Sequence, residues 1–246
     1  MKILFIIEGL NRGGKERRLI ELIKRLIKFN EIELIILSDS IHYKEILDLE
    51  IKINILKRHI FKDFSLLFKF KKILNFFDPD IVHCWDNIGA IHFGPICKLF
   101  RIPFINSMIS TAPDNLNFFS KRYLFTAASY PFSDVILANS EAGIKAFSPP
   151  NKKSFVIHNG FDLKRLNVNL SISQIKNKLG IKSKKIIGMV ANFSKMKDYD
   201  TFIKSAIIVY KKRKDVIFLA VGDGPNFKMI KSNLPISLKG KFIFLG

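Results

Sequence analysis

The chain has 246 residues, 48% of them hydrophobic, with a mean hydropathy of +0.15 and a formal net charge of +20 from 41 Lys and Arg against 21 Asp and Glu. That apolar content excludes a wholly disordered chain and suits one large α/β domain or two smaller ones. The charge implies attraction to something anionic, be it nucleic acid, an acidic membrane surface or a phosphorylated small molecule, but part of it follows from a composition rich in Lys, Ile, Phe and Asn together, and it selects no partner by itself.

The first element is a buried strand, Ile3–Ile7, whose five apolar residues end at Glu8 and are too few for a signal sequence. No apolar run approaches the roughly 18 residues of a membrane span. The chain is therefore expected to be neither secreted nor membrane-crossing. Further strands are predicted over Ile32–Leu37, Ile53–Leu56, Asp80–Cys84, Pro103–Met108, Asp134–Ala138 and Ser154–Ile157. Helices are predicted near Lys15–Phe29, Phe64–Phe77, Ile88–Phe100, Phe118–Tyr130 and Glu141–Phe147. This alternation builds a parallel sheet covered on both faces. Cys84 and Cys97, in a strand and a helix, lack the spacing of a disulfide or metal motif, so a reduced, cytoplasmic compartment is expected.

A polar stretch from Asp162 to about Ser183 reads as a linker, and the domain boundary is placed there, giving domains 1–168 and 169–246. The rhythm then restarts with strand Lys185–Ala191, helix Tyr199–Lys211, strand Val216–Val221, short helix Phe227–Asn233 and strand Lys241–Leu245. Three strands with two helices leave a parallel sheet partly uncovered, so the second domain is expected to be incomplete.

Four loops could carry chemistry. Glu8-Gly9-Leu10-Asn11-Arg12-Gly13-Gly14-Lys15 follows the first strand, and Gly13 and Gly14 would let helix N–H groups approach an anion. It matches neither the dinucleotide fingerprint nor the P-loop, and a plain tight turn is the alternative. His158-Asn159-Gly160-Phe161-Asp162 is a sharp turn leaving the first domain. Asn192-Phe193-Ser194-Lys195-Met196-Lys197-Asp198 is a basic loop before a helix, suited to a diphosphate or merely solvated. Gly222-Asp223-Gly224-Pro225 ends a buried strand at the carboxyl edge, where open α/β sheets bind ligands.

Together with Pro79-Asp80-Ile81-Val82-His83 and Asp134-Val135-Ile136-Leu137-Ala138-Asn139-Ser140, these loops in this order resemble the retaining, GT-B-type glycosyltransferases of family four along essentially the whole chain. The resemblance implies two Rossmann-like domains facing across a cleft, the first complete and binding the acceptor, the second incomplete and binding a nucleotide sugar. It implies transfer with retention, needing no metal and no cofactor beyond the nucleotide-diphosphate sugar as substrate, onto a glycan or lipid-linked acceptor in polysaccharide biosynthesis. Donor-phosphate contacts would fall to Gly13, Gly14, Asn192, Lys195, Lys197, Gly222, Asp223 and Gly224. Lys197 matches the family's phosphate-binding lysine, and Lys195 stands in for an arginine replaced by Asn192-Phe193-Ser194. The family's basic residue or His after the Ile-Pro-led strand is missing from Ile102–Ser110. His83 is the N-domain candidate for a catalytic role, with a structural strand-end His as the alternative.

The family's paired-glutamate motif would lie beyond Gly246, so the 246-residue chain is expected to show little or no transfer by itself. The competing reading is an inactive remnant or binding module for sugar nucleotide, anionic lipid or a partner chain. Helix Lys15–Phe29, with Leu19, Ile20, Leu22, Ile23, Leu26 and Ile27 on one face and basic residues outside it, could lie on anionic lipid at the inner face of the cell membrane, or be a core helix with a solvated basic face. Nucleic-acid binding rests on charge alone and is set aside.

Overall fold

The computed structural model describes all residues except 12, 58–64, 114 and 183–184, and all side chains but those and 164 and 165. The chain divides into two compact units, Met1–Asp162 and Leu163–Gly246. The division falls after Asp162, where the polar stretch begins.

The N-terminal unit contains strands β1 (Lys2–Ile7), β2 (Glu31–Ile36), β3 (Lys52–Ile55), β4 (Ile81–Cys84), β5 (Phe104–Ile109), β6 (Val135–Ala138) and β7 (Ser154–Val156). Helices α1 (Gly14–Leu26), α2 (Ser65–Phe77), α3 (Asn87–Leu99), α4 (Lys121–Ala127) and α5 (Glu141–Phe147) connect them. All pairings are parallel in the order β3-β2-β1-β4-β5-β6-β7, so the winding reverses between β1 and β4. Phe64, the predicted start of the second helix, and Arg12 of the glycine loop lie outside the described residues.

Strand alternation sorts the core into two layers. Ile3, Phe5 and Ile7 of β1 meet Leu19, Ile20 and Ile23 of α1, whereas Leu4 and Ile6 meet Phe70 and Leu74 of α2 and Phe93 of α3. Leu22, Leu26 and Ile27 pack against the same layer as Leu19. The apolar stripe of α1 is therefore spent on the sheet, which favours the core-helix reading over a lipid-facing one.

Helix ends follow side-chain caps. Asp86 Oδ1 accepts from Gly89 N at 2.7 Å to start α3, and Ser140 Oγ accepts from Gly143 N at 3.1 Å to start α5. Ser120 Oγ caps α4 by accepting from Tyr123 N at 3.2 Å, so the helix expected from Phe118 begins only after residue 120.

The C-terminal unit holds α6 (Ile172–Lys178), β8 (Lys185–Val190), α7 (Tyr199–Lys212), β9 (Val216–Val221), α8 (Phe227–Ser232) and β10 (Phe242–Leu245). Its strands pair in parallel in the order β10-β9-β8. The α6 helix corrects the linker reading: Ser171 Oγ accepts from Gln174 N while Gln174 Oε1 accepts from Ser171 N, a closed capping box. Replacing Ser171 by Ala should lower the stability of the C-terminal unit by about 1 kcal/mol in urea unfolding. Although apolar in sequence, β8 exposes Ile186, Ile187 and Val190, in contrast to the buried β9.

Candidate functional site

The carboxyl ends of β4, β5, β6 and β7 line up on the face of the sheet that α1 covers, and a cavity of about 520 Å³ opens there within the N-terminal unit. Its wall follows the pleat: His83 and Trp85 at the end of β4, Ser107 and Ile109 on β5, Leu137 and Asn139 at β6, Ile157 and Asn159 beyond β7. Arg18, Leu22 and Leu26 of α1 close the opposite side.

At the floor, His83 Nε2 lies 2.6 Å from Ser107 Oγ. The ring sits 5.3 Å from both Phe5 and Trp85. Only 8% of His83 is exposed, and burial pushes its pKa down to about 3. The imidazole is therefore neutral near pH 7, able to position a hydrogen bond but not to donate a proton as an imidazolium.

Above it, Arg18 lies 5.4 Å over the Trp85 ring and donates to Asn159 Oδ1 at 2.6 Å. Burial lowers the Arg18 pKa below its ordinary value. His158 Nδ1 lies 3.2 Å from Asn139 O; a carbonyl only accepts, so Nδ1 carries the proton. Glu21, also at the wall, is 3.9 Å from Lys24 Nζ. Beside the cavity, Trp85 Nε1 and Asn87 Oδ1 are, among the described residues, buried without a hydrogen-bond partner, and burial raises the Asp86 pKa.

Gly13 and Gly14 stand at the start of α1, Gly13 as an extended N-cap. A Cβ built on Gly13 would fall within 2.1 Å of Glu16 Oε2, so the helix's own carboxylate lies over its first turn. Gly14 has open space where a Cβ would be. Gly13 N already donates to Asn11 O at 2.8 Å, and an incoming anion would meet Glu16 first.

In the C-terminal unit the glycines serve close loop contact. Gly222 and Gly224 have φ of +141° and +155°, and a Cβ on Gly222 would stand 2.1 Å from Ala191 O. Phe193 N donates to Asp223 O at 3.0 Å, and Asn226 N donates to Phe193 O at 2.9 Å. Asn192 Oδ1 lies 2.7 Å from where a Gly224 Cβ would be. Asn192, Gly222, Asp223 and Gly224 are thus brought together at the ends of β8 and β9. Lys195 and Lys197 occupy the next turn, both exposed and, among the described residues, without an ion-pair partner.

Sequence reasoning singled out His83, placed His158 in a domain-exit turn and Asn139 in a family-like segment, and gave no site role to Arg18, Trp85 or Ser107. The period-two spacing of His83 with Trp85, and of Ser107 with Ile109, at strand ends was the available signal. Among the described residues no three His, Cys, Asp or Glu groups gather as a metal site. Both thiols are buried, and burial raises Cys97 to about 12, leaving it a poor nucleophile.

A doubly wound unit with its cavity at the carboxyl edge, followed by a second parallel β/α unit with a glycine-stitched loop pair, defines a GT-B-type protein. Residues 12–165 match Glycosyltransferase Family 4, and the chain belongs to that family. Its class is accordingly that of the glycosyltransferases.

Solved structures share the fold along the full chain. HepE of Anabaena, solved with UDP and glucose, is 20% identical, with a TM-score of 0.78, over 100% of this chain and 69% of that one. A glycosyltransferase from Rickettsia africae is 18% identical, with a TM-score of 0.77, over 100% and 68%. A UDP-N-acetylglucosamine 2-epimerase from Rickettsia bellii is 16% identical, with a TM-score of 0.61, over 100% and 68%, so the fold alone is common to transferases and epimerases. No curated protein matches the chain in sequence.

Proposed function

We propose that the chain acts in transfer of a sugar, with retention, from a nucleotide-diphosphate sugar to a glycan or lipid-linked acceptor of a cell-surface polysaccharide. The observation that carries the reading is the cavity built around the His83–Ser107 pair in a family-4 glycosyltransferase. The donor class is supported by HepE, which was solved with UDP and with UDP-glucose, and the acceptor class by WaaB, a lipopolysaccharide outer core galactosyltransferase of the same fold, with a TM-score of 0.62.

In this reading the bond from the anomeric carbon to the diphosphate oxygen breaks as an acceptor hydroxyl oxygen bonds to that carbon on the same face. The hydroxyl proton passes to the departing diphosphate. Lys195 and Lys197 hold the diphosphate and offset its growing charge, with Asn192, Gly222, Asp223 and Gly224 fixing the loop that presents them. Gly14 offers its backbone N–H to an anion once Glu16 swings away, and Gly13 joins it only if its N–H leaves Asn11 O, to which it donates at 2.8 Å. Neutral His83, held by Ser107, orients a hydroxyl of the acceptor in the cavity. No cofactor is required beyond the donor itself. The protein works in the cytoplasm, peripherally at the inner face of the membrane.

Calorimetric titration of the purified chain with UDP, GDP and their sugars tests the donor side. Lys195→Ala and Lys197→Ala should each weaken nucleoside-diphosphate binding about tenfold and leave nucleoside binding unchanged. Glu16→Gln should strengthen diphosphate binding several-fold, by removing a carboxylate from the helix start. Affinity indifferent to both lysines would sink the donor assignment. Acceptor-dependent release of nucleoside diphosphate by the chain would sink the binding-module reading.

A further inference from the structure

The short helix α4 packs Tyr123 and Ala127 against the core and turns a second, apolar stripe outward. Thr126 is fully buried, its hydroxyl donating to Arg122 O at 2.8 Å and accepting from Asn87 Nδ2 at 3.2 Å. Lys121, Leu124 and Phe125, one helical stripe, face outward. Just before the helix, Phe119 is 87% exposed and Phe118 is 53% exposed, the latter braced edge-on by Tyr123 at 4.8 Å. Residues 115–128 carry two cations, Lys121 and Arg122, and no carboxylate. Isolated exposed phenylalanines are ordinary on this surface, but a run of four outward apolar side chains interleaved with cations is a different feature.

Its position is tied to the cavity. Asn139 on the cavity wall donates to Ser110 O at 3.0 Å, the first residue after β5, and Arg122 of α4 donates to Thr111 Oγ1, the next residue. The aromatic run and the cavity therefore lie at the same carboxyl edge of the sheet.

We propose that Phe118, Phe119, Lys121, Leu124 and Phe125 form a docking surface for an anionic lipid bilayer, bringing the cavity to the membrane face that presents the acceptor. Charge selects this occupant: a segment of cations without carboxylates, on a chain of net charge +20, complements anionic headgroups, while the rings enter the acyl boundary. A bilayer also demands no matching pocket, which suits two adjacent rings standing at a turn. The proposal deepens the lipid-linked acceptor reading and moves membrane contact from α1, whose apolar face is spent, to the loop after β5.

Vesicle flotation with the full chain tests it, using phosphatidylcholine alone and phosphatidylcholine mixed with phosphatidylglycerol. Binding should require phosphatidylglycerol and weaken as salt rises. The double variant F118S/F119S should bind at least tenfold more weakly, and Lys121→Gln about fivefold more weakly. Phe29→Ser, an equally exposed ring before β2 at the opposite sheet edge, should bind like the parent. Equal binding by F118S/F119S and parent, no binding by the parent, or a parent dimer that dissociates in F118S/F119S without any vesicle binding would each overturn the proposal. Because flotation reads no sugar transfer, a failed transfer assay leaves this result standing, and the reverse also holds.

Discussion

Acidification should destabilise the N-terminal unit through His83, and His83→Asn should remove most of that dependence. The folded imidazole has its pKa pushed down to about 3 from an ordinary value of 6.5. Between those values the unfolded chain binds a proton that the folded chain refuses. The contribution to stability is therefore complete above about pH 6.5 and is lost as pH falls toward 3, reaching at most about 5 kcal/mol. Asp86 acts in the opposite sense: with its folded pKa raised, it stabilises below its ordinary value and loses that contribution as pH rises through the folded value. Asp86 is present in both proteins and cancels in the comparison. Asn at position 83 keeps a hydrogen-bonding group for Ser107 but does not titrate. Urea unfolding at pH 7 and pH 4.5, followed by the emission of Trp85 beside the ring, should show the parent losing about 2–3 kcal/mol more than His83→Asn. Parallel losses would mean that His83 gains solvent or a counter-charge in the folded protein, and its role as a neutral hydrogen-bonding group would fall.

The strands were legible in sequence to within about a residue because each is a short apolar run bounded by charge or a turn, and burial of that run sets its ends. Helix boundaries were less so. Phe118 and Phe119 read as the start of a helical face, but the Ser120 cap places them outside the helix and in solvent. The α6 helix was hidden in a polar stretch with no apolar stripe, though the Ser171-Ile172-Ser173-Gln174 box was there to be read. Of the site, His83 was visible as a polar residue ending a buried strand. Its partner Ser107 was not, since their contact depends on the β4–β5 register, which pairs His83 with Ile105 and leaves Ser107 two residues further along. Arg18 was counted with a basic helix face; only the fold brings Asn159, 141 residues later, to its guanidinium. Gly222 and Gly224 were read as donor-phosphate contacts in a turn at the carboxyl edge, and the structure shows that their lack of a side chain also serves contact between two loops.

That loop contact hangs on one ring, and Phe193→Ala should cost the C-terminal unit about 3–5 kcal/mol. Phe193 is fully buried, stacked 4.0 Å from Tyr199 and edge-on to Phe227 at 4.8 Å, within a core drawn wholly from residues 189–244. Its backbone makes both hydrogen bonds that join the loop after β8 to the loop after β9. Losing the ring therefore opens a cavity at the point where Lys195 and Lys197 are anchored. The sole tryptophan, Trp85, belongs to the N-terminal unit, so far-ultraviolet circular dichroism should report an early transition that tryptophan emission does not. Gly222→Ala separates ring from backbone: its Cβ would collide with Ala191 O at a φ unfavourable to L residues, while Phe193 keeps its packing. Gly240→Ala has a φ of +72° and nothing within 4 Å of its Cβ, so it reports local backbone strain alone, about 1 kcal/mol. If Gly222→Ala proves as costly as Phe193→Ala while Gly240→Ala stays near 1 kcal/mol, the close backbone approach and the ring hold the loop pair as one cooperative unit. If Phe193→Ala costs no more than Gly240→Ala, the ring is dispensable and the glycine contacts alone position the lysine turn.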